Sequence, residues 1–401
     1  MSSRSRSRTA VRDEEDDSDG EVEEPPVAEP EAEGPHEAAD SDDDIVHFAW
    51  QRGQVLGSRY QLEELLGDGA FGRVLLAKDM QDDRYVALKI IRDVERYREN
   101  AKIEASILKD IRIADVDGTS NCVVLHEVFL HSDVFFCMVC EVLGDSLYDF
   151  LKWNGYRGYW LQDIQAFAKQ SLKGLSFLHN MSLTHTDLKP ENILLRTRDS
   201  PRTAHFPRAD FQPPSERYAK VSYARPASND IKLIDFGNAT YVDMHHSSVI
   251  QTRQYRSPEV ILNMGWSEKA DLWSLGCILF ELYSGNMLFQ THSSPEHLAL
   301  MERILGPFPV SMLGRANHKA KQRFLTPDQD KLQWPVLYPQ GTETQESIMR
   351  VFQEWRLQDR CPPEHQAFVG FLRQMLMLDP CERVDAKEAL RAEFFLKEYN
   401  E

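Results

Sequence analysis

Four polar side chains stand out in this 401-residue chain for what they could do together: Lys89, Asp187, Asn192 and Asp235. Asp187 and Asn192 belong to the run His185-Thr186-Asp187-Leu188-Lys189-Pro190-Glu191-Asn192, and Asp235 opens Asp235-Phe236-Gly237. Phosphoryl transfer requires a carboxylate to take the hydroxyl proton, hard oxygen ligands for magnesium, and cations on the phosphates. Asp187 meets the first need, Asn192 with Asp235 the second, and Lys89 with Lys189 the third. Upstream, Leu66-Gly67-Asp68-Gly69-Ala70-Phe71-Gly72-Arg73-Val74 matches G-x-G-x-x-G-x-V. Glycines let a backbone come close to phosphates and present N–H groups to them. Alone, that pattern is equally a flexible hairpin turn. A dinucleotide fold would need a helix directly after the third glycine; Arg73 to Ala77 reads instead as a strand, which favours a hairpin lying over a nucleotide. Any one of these motifs could arise by chance, but their order across roughly 170 residues is a strong joint signal.

The elements that must position these residues can be read from periodicity. Tyr85-Val86-Ala87-Leu88-Lys89-Ile90-Ile91 is strongly β, with Ala87 and Lys89 on one face and Val86, Leu88 and Ile90 on the other. A lysine in such a strand is costly unless its ammonium meets an anion, and Glu104, in a helix expected over 100–109, is the candidate. Short β-like runs dominate from Tyr60 to about Val139, whereas Asp163 to Asn180 repeats Ile164, Ala168, Leu172, Leu175 and Leu178 at helical spacing. Asp187 and Asp235 fall in loops at strand ends, where a rigid scaffold presents functional groups. The expected fold class is α+β and bilobal: a small β-rich lobe with one main helix (about 60–143), then a larger, mostly α-helical lobe (about 144–396). Residues 196–230, rich in Pro, Arg and Ser, read as an insertion, in outline a hairpin.

Composition narrows the setting. Hydrophobic residues make up 42% and charged residues 27%, as in soluble globular proteins. The apolar stretch from Leu272 to Phe289 contains Glu281 and falls short of a membrane span, and the opening MSSRSRSRTA lacks the apolar core of a signal peptide. Six scattered cysteines suit a reducing compartment, and the pair Cys137 and Cys140, three apart on a strand, should diverge rather than share a metal. The net charge of −18 is uneven: residues 1–44 carry 17 acidic and 4 basic side chains, leaving −5 for the rest. We expect 1–46 to be an acidic disordered tail, because it has no Phe, Trp or Tyr and too little apolar surface to offset chain entropy. It is either a solubilising tail or a regulatory arm drawn to basic partners, with Ser18 and Ser41 placed for an acidophilic kinase. The mildly acidic remainder offers no basic-aromatic cluster for direct nucleic-acid binding.

Residues 60–396 resemble a eukaryotic protein kinase domain. Within that likeness, Thr184 to Asn192 and Glu296-His297-Leu298-Ala299-Leu300-Met301-Glu302-Arg303-Ile304-Leu305-Gly306 resemble the LAMMER, or CDC-like, dual-specificity kinases of the CMGC group. Leu300 stands where that family usually has Met, a volume-conserving change. The LAMMER stretch itself is expected to be structural, touching no substrate.

The resemblance implies ATP and Mg2+ as cofactors, with Asp187, Lys189 and Asn192 catalytic and Asn192 and Asp235 holding the metal. It also implies nucleotide contacts from Leu66, Gly67, Gly69, Phe71, Gly72, Val74, Ala87, Lys89, Glu104, Glu141, Leu143 and Leu194. Glu259 would pair with Arg383 as a purely structural link. Cys140 would fall at or beside the gatekeeper position, offering a thiol to an electrophilic ATP mimic.

Thr186 replaces the arginine that many kinases use to grip an activation-loop phosphate, so we expect a loop that orders without one; alanine at Ser247, Ser248 and Thr252 together should spare activity. The implied function is phosphorylation of Ser and Thr, with Tyr autophosphorylation, on basic Arg/Ser-rich proteins such as splicing factors. The enzyme would be monomeric and nuclear, with the cytoplasm also open and no membrane association. Other readings are a neighbouring CMGC kinase, dual-specificity Tyr-regulated or SR-protein-specific, and a pseudokinase scaffold.

Overall fold

The computed structural model describes residues 48–208, 222–335 and 344–399. The acidic tail with Ser18 and Ser41, and the middle of the 196–230 insertion, lie outside the described residues.

An antiparallel six-stranded sheet comes first: β1 (Val55–Leu56), β2 (Tyr60–Gly69), β3 (Gly72–Asp79), β4 (Arg84–Ile91), β5 (Leu125–His131) and β6 (Phe135–Cys140), in the order β1-β2-β3-β4-β6-β5. Ordered chain is expected from about Ile45 to Trp50; β1, two residues long, is too short to show a period. Val86, Leu88 and Ile90 bury one face of β4 in a cluster with Phe48, Tyr60, Leu62 and Cys137. On the other face lies helix α1 (Glu95–Ala114), which buries Ala101, Glu104, Ala105, Ile107, Leu108 and Ile111. Those positions recur every three or four residues, the spacing that makes one helical face. The helix is twenty residues long rather than the ten expected: its first turn is mostly charged and carries little apolar signal, while its apolar repeat runs on to Ile111. Cys137 and Cys140 do part company, into separate apolar clusters.

The second lobe is built on α2 (Leu147–Trp153), α3 (Leu161–Asn180), α4 (Lys269–Ser284) and α5 (Ser294–Leu305). Helix α4 is buried on every side from Ala270 to Tyr283, as a central helix must be. Short paired strands sit over these helices: β7 (Leu183–Thr184), β8 (Ile193–Leu195), β9 (Arg202–Thr203), β10 (Ala224–Arg225), β11 (Ile231–Leu233) and β12 (Thr240–Tyr241). β9 and β10 pair antiparallel, so the insertion starts and ends as a hairpin. Arg383 meets Glu259 through two hydrogen bonds of 2.7 and 2.9 Å, both side chains fully buried. Among the described residues no helix is long and apolar enough to cross a membrane. The LAMMER stretch forms α5, with Glu296, His297, Leu298, Leu300 and Met301 buried, so it lies inside the fold. There Glu296 accepts from Arg350 at 2.7 Å and from the His292 N–H at 2.9 Å.

Candidate active site

Strand pairing brings the polar residues together. β8 and β11 pair with Ile193 opposite Leu233 and Lys232 opposite Leu194, which sets Asn192 beside Ile234 and one step from Asp235. The Ile234 N–H donates to the Asn192 carbonyl at 3.0 Å, and a His185 ring nitrogen lies 3.0 Å from the Ile234 carbonyl. Asp235 has a φ of 64°, in the left-handed region that few non-glycine residues occupy and that is found disproportionately at functional sites. A Cβ on Gly237 would lie at ordinary contact distance, 3.6 Å from the Asp235 carboxylate and 3.9 Å from that of Glu104, so space alone does not demand glycine there.

The loop bearing Asp187 is pinned from beneath by a buried carboxylate of α4. Asp271 accepts from the backbone N–H of His185 at 2.9 Å and of Thr186 at 3.0 Å, and lies 2.9 Å from the His179 ring. Asp187 itself is held on both oxygens. Lys189 donates to Oδ2 at 2.9 Å, and the Thr252 backbone and hydroxyl donate to Oδ1 at 3.1 and 2.8 Å. Burial alone would raise this carboxyl's pKa, but the Lys189 charge and those hydrogen bonds outweigh it and hold it below the usual carboxylate range. Asn192 donates from Nδ2 to the Asp187 carbonyl at 2.9 Å, which leaves its amide oxygen available for a ligand.

On the sheet side, Lys89 donates to both carboxylate oxygens of Glu104, at 2.9 and 2.7 Å. Burial pulls the ammonium's pKa down, yet Glu104 and Asp235 more than offset it, and Lys89 stays charged. Register sets Val74 of the glycine hairpin and Met138 on either side of Lys89, and Cys140 beside Ala87. The apolar side chains of Leu66, Val74, Ala87, Leu143 and Leu194 are all half-buried, the condition of residues lining a cleft.

The three glycines differ in what requires them. A Cβ on Gly67 would meet nothing within 4 Å and one on Gly69 only the Gly72 carbonyl at 3.8 Å, so those two leave the hairpin's face open. On Gly72 a Cβ would come within 2.2 Å of the Ile90 carbonyl, so this glycine serves strand packing. Phe71 packs edge-on against Tyr97 of α1 with ring centroids 5.2 Å apart. Glu141 uses its side chain to hold the connection between lobes, accepting from the Val124 N–H at 2.9 Å with Lys232 at 3.3 Å.

Residues 60–395 match the protein kinase domain family. The chain is 40% identical to dual specificity protein kinase CLK1 of Homo sapiens over 88% of its length and 69% of the relative's. It is also 40% identical to serine/threonine-protein kinase AFC1 of Arabidopsis thaliana, over 89% of its length and 75% of the relative's. A crystallised kinase domain of 40% identity superposes with a TM-score of 0.79, covering 87% of this chain and 99% of that one. The chain belongs to the protein kinase family, in its LAMMER branch.

In this kinase the segment after Asp235 is held by contacts that need no arginine at position 186. The Thr186 hydroxyl donates to the Asn238 carbonyl at 2.7 Å, where an arginine would have reached for phosphate. His246 stacks on Trp266 at 4.3 Å, Trp266 donates to the Ser247 carbonyl at 2.8 Å, and the Tyr241 hydroxyl donates to Asp110 of α1 at 2.9 Å. His246 is thus a packing residue, and among the described residues no group of three or more His, Cys, Asp or Glu could hold a metal.

Two expectations need correction. Thr252 cannot be grouped with Ser247 and Ser248, because its hydroxyl bonds the Asp187 carboxylate. The Ser247→Ala/Ser248→Ala double variant should keep kcat within about two-fold, as surface changes do. Thr252→Val should lower kcat and move the acid limb of the pH–rate profile to higher pH, since a bond that favours the ionised base is gone. An unmoved limb would contradict that role for Thr252. Cys140 is also a poor nucleophile: burial first, then the Glu104 charge, push its thiol up to about 12, so neutral solution holds almost no thiolate.

Sequence reasoning missed Thr252 and Asp271 as functional residues. Thr252 lies 65 positions from Asp187, with no local pattern to join them. Asp271 offered a signal, an acid in the first turn of a mostly apolar helix.

Proposed function

We propose that this kinase transfers the γ-phosphoryl group of ATP to Ser, Thr and Tyr hydroxyls of basic, Arg/Ser-rich proteins, and that it does so in the nucleus. Protein kinases in general use ATP with Mg2+ and act on protein substrates. Nuclear residence is supported by the family likeness alone. Asp187, oriented by Lys189 and Thr252, accepts the hydroxyl proton. Lys89, fixed by Glu104, and Lys189 meet the phosphates, while the Gly67 and Gly69 backbone covers them. Leu66, Val74, Ala87, Leu143 and Leu194 enclose the base.

The Asn192 oxygen and the Asp235 carboxylate fit Mg2+, which takes hard oxygen donors and is commonly held by few protein ligands plus phosphate. When bound, that ion neutralises charge on the phosphate oxygens.

The observation supporting basic substrates is acidity beside the base. Burial raises the pKa of Glu191, and the charges of Asp187 and Asp149 raise it further against the pull of Lys189. Glu281 is pushed up to about 7 by burial and by Glu191, against a 2.7 Å hydrogen bond from the Tyr255 hydroxyl. Glu191, the exposed member of the two, is where an incoming guanidinium would relieve this crowding, pairing with its carboxylate two hydrogen bonds at a time.

Positional scanning of acceptor peptides tests this. Wild type should favour arginine near the acceptor, and Glu191→Gln with Glu281→Gln should weaken that preference about ten-fold, the scale of one charge-assisted contact. An enzyme indifferent to arginine, or a variant with unaltered preference, would overturn the basic-substrate reading.

A further inference from the structure

Arg73, one residue past the last glycine of the hairpin, joins three parts of the chain. Its guanidinium pairs with Asp68 across the hairpin at 3.0 Å and donates to the Phe48 carbonyl at 2.8 Å. Phe48 is itself anchored. Its buried ring meets His131 edge-on at 5.7 Å and Phe135 at 5.2 Å, on the far hairpin β5–β6, and belongs to the outer cluster with Leu56, Tyr60 and Leu62. On the opposite side Arg92 donates to the Gly69 carbonyl at 2.9 Å.

A glycine-rich hairpin has few side chains to fix its inclination. This one also carries register shifts between Leu62 and Glu64 and between Leu65 and Gly67, which loosen the ladder at its base. Lateral ties must therefore set where its backbone N–H groups lie. Arg92 supplies one such tie, and Arg73 the other.

We propose that Arg73 is a positioning residue for the phosphate-binding hairpin and that Phe48, in the segment ahead of β1, is its anchor, forming a strap that carries the fixed position of β5–β6 to the nucleotide roof. The inference rests on the reading that this hairpin covers ATP. The Arg73–Asp68 pair is too exposed to add much to folding stability, with side chains 24% and 39% exposed. Its effect should then appear in nucleotide affinity while the melting temperature stays put.

The test uses the full-length chain with Arg73→Met, Phe48→Ala and the double variant. MgADP affinity is measured by calorimetry, KM for ATP and for peptide and kcat by steady-state kinetics, and melting by circular dichroism. Arg73→Met should weaken MgADP binding and raise KM for ATP about five-fold, the worth of one hydrogen bond, with kcat, peptide KM and melting unchanged. Phe48→Ala should give the same nucleotide defect, and the double variant should be no worse than the weaker single, because both act through one strap. Unchanged MgADP affinity in Arg73→Met, beside a wild type that binds normally, would overturn the strap alone. Losses that multiply in the double variant would overturn it too. A wild type that fails to bind MgADP would overturn the nucleotide reading beneath it.

Discussion

Asp187→Asn should lower kcat by about 10²- to 10⁴-fold, the range lost when a positioned general base is removed. The substitution keeps the size of the side chain and one of its two oxygens, so either Lys189 or Thr252 retains its acceptor while the other faces an amide N–H. It removes the capacity to take a proton together with the charge that Lys189 pairs with. MgADP affinity and melting temperature should therefore match wild type, since the nucleotide contacts proposed for Lys89 and the hairpin are untouched. The measurement is magnesium-dependent phosphate incorporation into an Arg/Ser peptide, followed with calorimetric nucleotide binding. A variant within ten-fold of wild type would show that residue 187 is not the base. A variant that lost nucleotide binding would show that its role is structural.

The largest stability effect should come from a pair remote from the chemistry. In Glu259→Gln the Arg383 guanidinium stays buried with carbonyls and a neutral amide around it, without its counter-charge. Breaking a buried ion pair by removing one partner costs about 3–5 kcal/mol, because the remaining charge is left uncompensated. Melting should fall by roughly 6–10 °C. Activity measured well below the new melting point should remain near wild type, because no atom of the pair touches the residues around Asp187. A melting temperature within two degrees of wild type, read by calorimetry as roughly no loss, would mean that water or rearranged carbonyls replace the carboxylate. The contrast between these variants separates chemistry from scaffold: one should be stable and inactive, the other unstable and competent.

The residues that meet at the site were legible because each sits in a local pattern with a chemical reason. Lys89 shows itself as a charge in an apolar strand, and Asp187, Asn192 and Asp235 as polar punctuation at the ends of β-like runs. Glu104 followed from the need for a counter-ion within the next helix, and its carboxylate does meet Lys89 at 2.7 Å. The two-lobed architecture was legible for the same reason, since period-two and helical spacing separate into successive halves of the domain.

Contacts between distant segments were not legible. Thr252 on Asp187, Asp271 beneath the loop and Arg73 on the Phe48 carbonyl depend on which surfaces the folded chain presses together. The same holds for the reason Gly72 must be glycine, which is the carbonyl of Ile90 on a neighbouring strand, and for the raised pKa of the Cys140 thiol, which follows from its surroundings and the Glu104 charge. By itself, then, the order of residues placed the polar residues of the site and the reaction they suit, because these are written in short-range spacing, and its motifs carried the resemblance that implied the family. Tertiary structure alone decided how each group is held, charged and shielded, because electric fields and steric contact act through space and are indifferent to distance along the chain.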